Sequence, residues 1–184
     1  MNLTEVLQQA GDGDADARGQ LIQIAYDDLR RLAAWQMARQ RPDHSLTSTA
    51  LVNEVSIKLL GDNDIPTENR AKFFAYVSRA MRNLLIDHAR TKGRQKRGGD
   101  RAKFSFEEAM IAAHEQSEQL LALDLAMEEL AVIQPRKAQV VEMRYFGGMT
   151  LEEIGQALDI SLATVKRDWE VARTLLLRAL KDQD

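Results

Sequence analysis

Residues 150–180 read TLEEIGQALDISLATVKRDWEVARTLLLRAL, and the fold turns on this stretch. Thr150 with Glu153 three residues on is a capping box, in which each side chain satisfies the other residue's exposed amide, so a helix starts there. Leu158, Asp159 and Ile160 then break the helical period. Ser161 can cap a second helix, because its hydroxyl can accept from an amide left unpaired at the helix start. In that helix Leu162, Val165, Trp169, Ala172 and Leu176 recur at spacings of three and four, which makes one apolar face. Ala163, Arg167, Glu170 and Thr174 fall on the opposite face, flanked by Lys166 and Arg173. Two helices about a tight turn, the second small and polar at its exposed start, form the pattern of a DNA-reading helix-turn-helix. A helical hairpin with a solvated charged face is the plainer alternative.

Outward from this stretch, composition favours helix throughout. Hydrophobic residues make up 45% of the 184 and charged ones 29%, a globular balance, while 10 glycines and 3 prolines leave few breaks. The chain has no cysteine, so it carries no disulfide and no thiolate metal site, which suits a reducing cytoplasm. No apolar run approaches the roughly 20 residues of a membrane span. The first residues, MNLTEVLQQAGDGDADAR, do not read as a signal peptide.

A net charge of −3 looks wrong for a nucleic-acid binder, but its distribution matters more than its sum. Residues 70–103 hold eleven basic side chains against Asp87 and Asp100, whereas residues 104–134 hold seven acidic ones and no Lys or Arg. A lone repressor draws much of its affinity from phosphate contacts and usually needs a larger basic surface. A subunit carried to DNA by a larger machine does not.

Taken in order, residues 2–10 suit a short helix, which the Gly/Asp run at 11–14 interrupts. Asp16 is placed to cap a long helix to about Arg39, with Leu21, Ile22, Ala25, Leu29 and Leu32 inward and Pro42 ending it. Residues 45–49 offer several caps for the next helix, whose apolar positions include Leu51, Val55, Leu59 and Leu60. The loop 61–69 (GDNDIPTEN) follows. Residues 70–90 form the second informative helix. Phe74, Val77, Met81, Leu84, Leu85 and His88 lie on one side, and Lys72, Tyr76, Arg79, Asn83 and Arg90 lie opposite, with Ile86 among them. An aromatic interleaved with cations and an amide suits a melted strand, since cations track phosphate and the ring stacks a base. A solvated helix face reads the same way.

The basic run 91–103 (TKGRQKRGGDRAK) cannot bury an apolar face and reads as a flexible linker. A helix from about Glu115 brings Leu120, Leu123, Ala126, Met127 and Leu130 inward. Pro135 opens another to Tyr145, and Gly147-Gly148 ends it. Enzyme chemistry finds no support. His44, His88 and His114 have no metal-type spacing, His88 reads as a core residue, and no phosphate loop or nucleophile elbow occurs. No catalytic residue, metal or cofactor is expected.

Three pieces, ALVNEVSIKL (50–59), FFAYVSRAMRNLLIDHAR (73–90) and the segment 125–180 with EEIGQALDIS and ATVKR, in this order and with this linker between them, resemble the bacterial extracytoplasmic-function sigma factors. These are promoter-specificity subunits of RNA polymerase. The resemblance implies an all-α protein of two helical domains joined by a flexible basic linker. Residues 1–91 would bind the core polymerase clamp and melt the −10 element, 92–116 would link, and 117–184 would read the −35 element through the helix-turn-helix. It places Lys72, Phe73, Tyr76, Arg79, Asn83 and Arg90 at the opened −10 strand, and the loop 61–69 where a flipped base is captured. Lys166, Arg167 and Ala163 would face the −35 groove, with Ser161, Thr164 and Arg173 at its phosphates. Leu51, Val52, Asn53 and Glu54 would meet core polymerase. The implied partners are core polymerase and promoter DNA in the cytoplasm, with no membrane, and the polymerase performs the chemistry.

The chain departs from that family at one point. Many members carry an acidic Asp-Ala-Glu-Asp run where this one has Thr47, Ser48, Thr49 and Ala50. Charge pairs at such an interface can contribute about 1.5 kcal/mol or more each, so losing three weakens docking by orders of magnitude. Phosphorylation of Thr49, or else Thr47, would restore about −1.5 to −2 charges at a helix start whose dipole favours an anion. The chain also resembles the subgroup associated with Ser/Thr kinases. A modification switch of this kind could replace the anti-sigma factor that restrains many relatives. The rival reading is a stand-alone helix-turn-helix regulator, which would bind duplex DNA without polymerase.

Overall fold

Asn69 starts the helix about which the molecule is built. Its side-chain oxygen accepts from the Lys72 amide at 2.9 Å and its carbonyl from the Phe73 amide at 3.1 Å, capping a 24-residue helix. The structure, a computed structural model, describes residues 3–11, 15–38, 46–62, 64–93 and 117–182. Its elements are α1 (Leu3–Gly11), α2 (Ala15–Ala38), α3 (Ser48–Gly61), α4 (Arg70–Gly93), α5 (Ser117–Ile133), α6 (Pro135–Tyr145), α7 (Leu151–Leu158) and α8 (Leu162–Asp182). Every regular element among the described residues is a helix, as the composition leads one to expect.

Local chemistry sets most boundaries. Thr47 accepts from the Ala50 amide at 3.1 Å and caps α3. Pro135 stands at the start of α6, where its missing N–H costs nothing. Thr150 and Glu153 close the reciprocal capping box of α7 at 3.1 and 2.8 Å. Asp159 takes a left-handed conformation (φ 54°), and its amide and that of Ile160 turn back to the Gly155 carbonyl. Two boundaries differ from the sequence reading. Asp16 lies inside the first turn of α2 rather than before it. Helix α4 runs to Gly93, so the first residues of the expected linker are helical; Thr91 supports that last turn by donating to the Asp87 carbonyl at 2.9 Å. Asn2, Pro42, His44 and 94–116, with His114 and Glu115, lie outside the described residues.

Helix α4 packs against α1 and α3 on one side and against α5, α6 and α7 on the other. One apolar cluster therefore runs through the molecule, from Leu7, Leu21 and Leu29 past Phe73, Val77 and Met81 to Leu123, Met127 and Phe146. Burying each such side chain contributes about 1.5–3 kcal/mol. A second cluster, Val140, Met143, Met149, Ile154 and Val165, joins α6, α7 and α8 and reaches Ala71 of α4.

The pattern of α4 is therefore wider than its periodicity suggests. Ile86, among the charged residues in sequence, is buried where it lines a cleft beside Asp124 and Glu142 of the C-terminal helices, and Phe73, four residues before Val77, belongs to the main core. Leu60 of α3 departs the other way and is 50% exposed, since one residue past Leu59 it has rotated off the core stripe.

Polar contacts key the two halves together. The Gln36 side chain, fully buried on α2, donates to the carbonyls of Tyr145 and Phe146 at 3.0 and 2.7 Å. Gly147 meets Ser78 so closely that a Cβ there would stand 1.8 Å from the Ser78 hydroxyl. Gly148 (φ 59°) lets the chain turn under Leu32 and Trp35.

Candidate nucleic-acid interfaces

The start of α8 is built from two hydroxyls. The Ser161 oxygen accepts from the Thr164 amide at 3.2 Å and shares a 2.9 Å hydrogen bond with the Thr164 hydroxyl. Ala163, Lys166 and Arg167 follow on the exposed side, with Glu170 and Thr174 beyond them, and Arg173 is half-buried. Val165, Ala172 and Leu176 are buried behind them, as the spacing requires. The arrangement is a rigid helix that presents small, then cationic, side chains on its solvent face.

A residue outside the apolar pattern fixes this helix. Asp168, 2% exposed, takes Arg136 Nε at 2.5 Å and Nη2 at 3.3 Å, with Lys137 Nζ at 3.6 Å. The Arg136 hydrogen bond pulls its carboxyl below the ordinary aspartate range despite burial. No spacing rule singles out Asp168, because its cationic partners sit about 32 residues back on α6.

The second surface is the length of α4. Arg79 and Asn83 are exposed. Lys72 is half-buried between Glu68 at 3.9 Å and Asp159 at 3.4 Å, the latter in the turn before α8. The Tyr76 hydroxyl donates to Asp62, which also accepts from the Asp64 amide at 2.9 Å, so the ring is tied to the loop after α3. Arg90 reaches Asp124 at 3.3 Å. Phe73 is a core residue, edge-on to Phe74, and offers no face to a base.

Between these residues lies Arg82, which the sequence reading passed over. Its Nε and Nη2 bind Asp124 Oδ1 at 3.0 and 2.7 Å, and its Nη1 binds Glu142 at 3.0 Å. Burial opposes its charge, yet the bonds to Glu142 and Asp124 outweigh that and raise its pKa above the ordinary arginine value. The signal in sequence was only the contrast between the basic 70–103 and the acidic 104–134.

On α3, Leu51 and Val52 are fully buried and present nothing to a partner, because they belong to the apolar stripe that holds α3 on α2 and α4. Asn53 and Glu54 are exposed beside Ile57 (69%) and Leu60 (50%), two apolar residues the sequence reading did not select for docking. Thr49 is exposed in the first turn, and Thr47 is the cap.

Among the described residues no cluster of His, Asp or Glu could hold a metal, and no helix is long and apolar enough to cross a membrane. The family profile described as ECF sigma factor matches residues 1–182, nearly the whole chain. The chain belongs to the ECF sigma factors. Among curated proteins no sequence matches it. Membership gives this sigma factor its partners, core RNA polymerase and promoter DNA, and its task, directing promoter-specific transcription. Sigma factors of this kind are not enzymes.

Proposed function

We propose that this sigma factor grips a promoter at two points while carried by core polymerase, with α4 on the melted −10 strand and α8 in the −35 major groove. The observation that carries the reading is a family match spanning both α4 and α8 rather than either alone. The first module ends with α4, and residues 117–184 form the second. Arg79, Asn83 and Arg90, with Lys72 and Tyr76, hold the unpaired strand beside the loop after α3, where stacking and cations offset the few kcal/mol of unstacking a base. Lys166 and Arg167 contact base edges, Ala163 leaves room for the groove floor, and Ser161, Thr164 and Arg173 meet phosphates at and beyond the helix start.

Core polymerase docks on the outer face of α3 through Asn53, Glu54, Ile57 and Leu60, in the cytoplasm. Leu51 and Val52 act from behind by holding the helix in place. A Ser/Thr kinase acting on Thr49 adds the anionic charge that the Thr47–Ala50 run lacks, and this switch takes the place of an anti-sigma factor. The exposure of Thr49 at a helix start supports that assignment.

Run-off transcription and gel shifts, each with and without core enzyme, test the reading. Initiation only with core supports it; duplex recognition by the chain alone, with no initiation, favours a stand-alone regulator. For the switch, unmodified protein should pull down core weakly and phosphorylated protein at least tenfold better. Equal, tight capture of unmodified protein and Thr49→Ala would end the switch idea.

A further inference from the structure

The loop between α3 and α4 is fastened to α4 at both ends, by two residues on one side of that helix. Lys72 and Tyr76 are four apart in sequence, so they stand one above the other on consecutive turns. Lys72 pairs with Glu68 at 3.9 Å, next to Asn69, which caps α4. Tyr76 reaches the opposite end. Its hydroxyl donates to Asp62, 14 residues earlier, where α3 stops.

Asp62 is a joint with three contacts. Its amide turns back to the Leu59 carbonyl at 3.3 Å and closes α3. One carboxylate oxygen accepts from the Asp64 amide at 2.9 Å, a local turn that bends the chain into the loop. The other oxygen takes the Tyr76 hydroxyl, in a hydrogen bond strengthened by the carboxylate charge. Both oxygens are thus engaged within the protein. The Tyr76 ring is half-buried and packs, as does Ile65 of the loop, against the main apolar cluster. A ring that stacks a base needs an open face. Tyr76 instead gives its ring to the core and its hydroxyl to the loop.

We infer that Tyr76 is a positioning residue, which sets the −10 base preference by holding Asp62, and with it the loop, against α4. The inference deepens the promoter reading above and rests on it. A pocket that captures an unpaired base discriminates well only if its walls are fixed before the base arrives. A loose wall adapts to any base and has to be ordered on binding. The assigned role runs through the hydroxyl, whereas stacking would run through the ring, so the two are separable by one oxygen atom.

Holoenzyme assembled from the full chain and core polymerase transcribes a promoter library randomised across both elements, and the RNA products are sequenced. Wild type should enrich one base at a −10 position. Tyr76→Phe keeps the ring and removes the hydroxyl, and enrichment at that position should fall by about fivefold or more, with the −35 preferences unchanged. A loss of stability alone would lower all transcripts together and leave both preferences as they were. Asp62→Ala should flatten the same position. The double variant should lose no more than the larger single loss, because the two groups form one contact. Tyr26→Phe, the same change at a solvent-facing position of α2, should match wild type.

Wild-type base preference in Tyr76→Phe would overturn the inference, as would additive losses in the double variant. Amide hydrogen exchange in the free chain gives a second readout that needs no DNA. Loop amides at 64–68 should exchange about threefold faster or more in Tyr76→Phe, with those of α8 unchanged. Equal loop rates in the two proteins would also overturn it. If wild-type holoenzyme transcribed no member of the library, the promoter reading itself would fall, an outcome distinct from transcription with unaltered preference.

Discussion

Replacing Asp168 by Asn tests whether the crossing of α8 over α6 is held electrostatically. The carboxylate is 2% exposed and sits between Arg136 and Lys137. Removing one partner of a fully buried ion pair costs about 3–5 kcal/mol, chiefly because a charge is left stranded. Here the stranded charges have alternatives. Arg136 is 52% exposed and can rehydrate, and Lys137 keeps the Gln134 side chain at 2.9 Å. Asn also retains one carbonyl oxygen for a neutral hydrogen bond. What is lost is charge assistance, so the expected cost is about 2 kcal/mol at pH 7. For a chain of this length that corresponds to a fall in melting temperature of about 4–8 °C.

The pH dependence sharpens this prediction. The folded-state pKa of Asp168 lies below the unfolded value, so its stabilisation is fully present above about pH 4 and is lost as pH falls through the folded pKa. Urea unfolding of wild type and variant should therefore show a constant gap from pH 7 to 5, narrowing below about pH 4. Equal midpoints at pH 7, or a gap that stays constant to pH 2 while both proteins still fold, would refute an electrostatic latch.

Other outcomes follow from single contacts. Gln36→Leu removes the donor to the Tyr145 and Phe146 carbonyls and should cost about 1–3 kcal/mol in urea unfolding, with faster proteolysis around Gly147 and Gly148. Gly147→Ala drives a methyl into Ser78 and the Met143 carbonyl and should destabilise by about 1–3 kcal/mol; adding Ser78→Gly should recover part of that, read as a coupling energy in a double-mutant cycle. In gel shifts with core polymerase, Arg167→Ala or Lys166→Ala should weaken binding to a −35-bearing duplex by about 1–3 kcal/mol if the residue reads a base. If it meets only phosphate, the loss should be uniform across sequences and the salt slope lower by about one.

The sequence by itself determined most of what depends on near neighbours, the start of α2 and the end of α4 apart. The capping box at Thr150, the Ser161 cap, Pro135 at a helix start and the inward stripe of α8 are interactions within four residues, so spacing alone reveals them. The exposure of Ala163, Lys166 and Arg167 follows from that stripe, because a helix with one buried face must show the other. Tertiary structure alone decided what depends on residues far apart. It buried Ile86 among the charged residues of α4, left Leu60 outside, and made Arg82 and Asp168 the anchors of two contacts between helices. The physical reason is that what a helix flank meets is set by what crosses it, and here the partners lie 42 and 60 residues on from Arg82 and 32 back from Asp168.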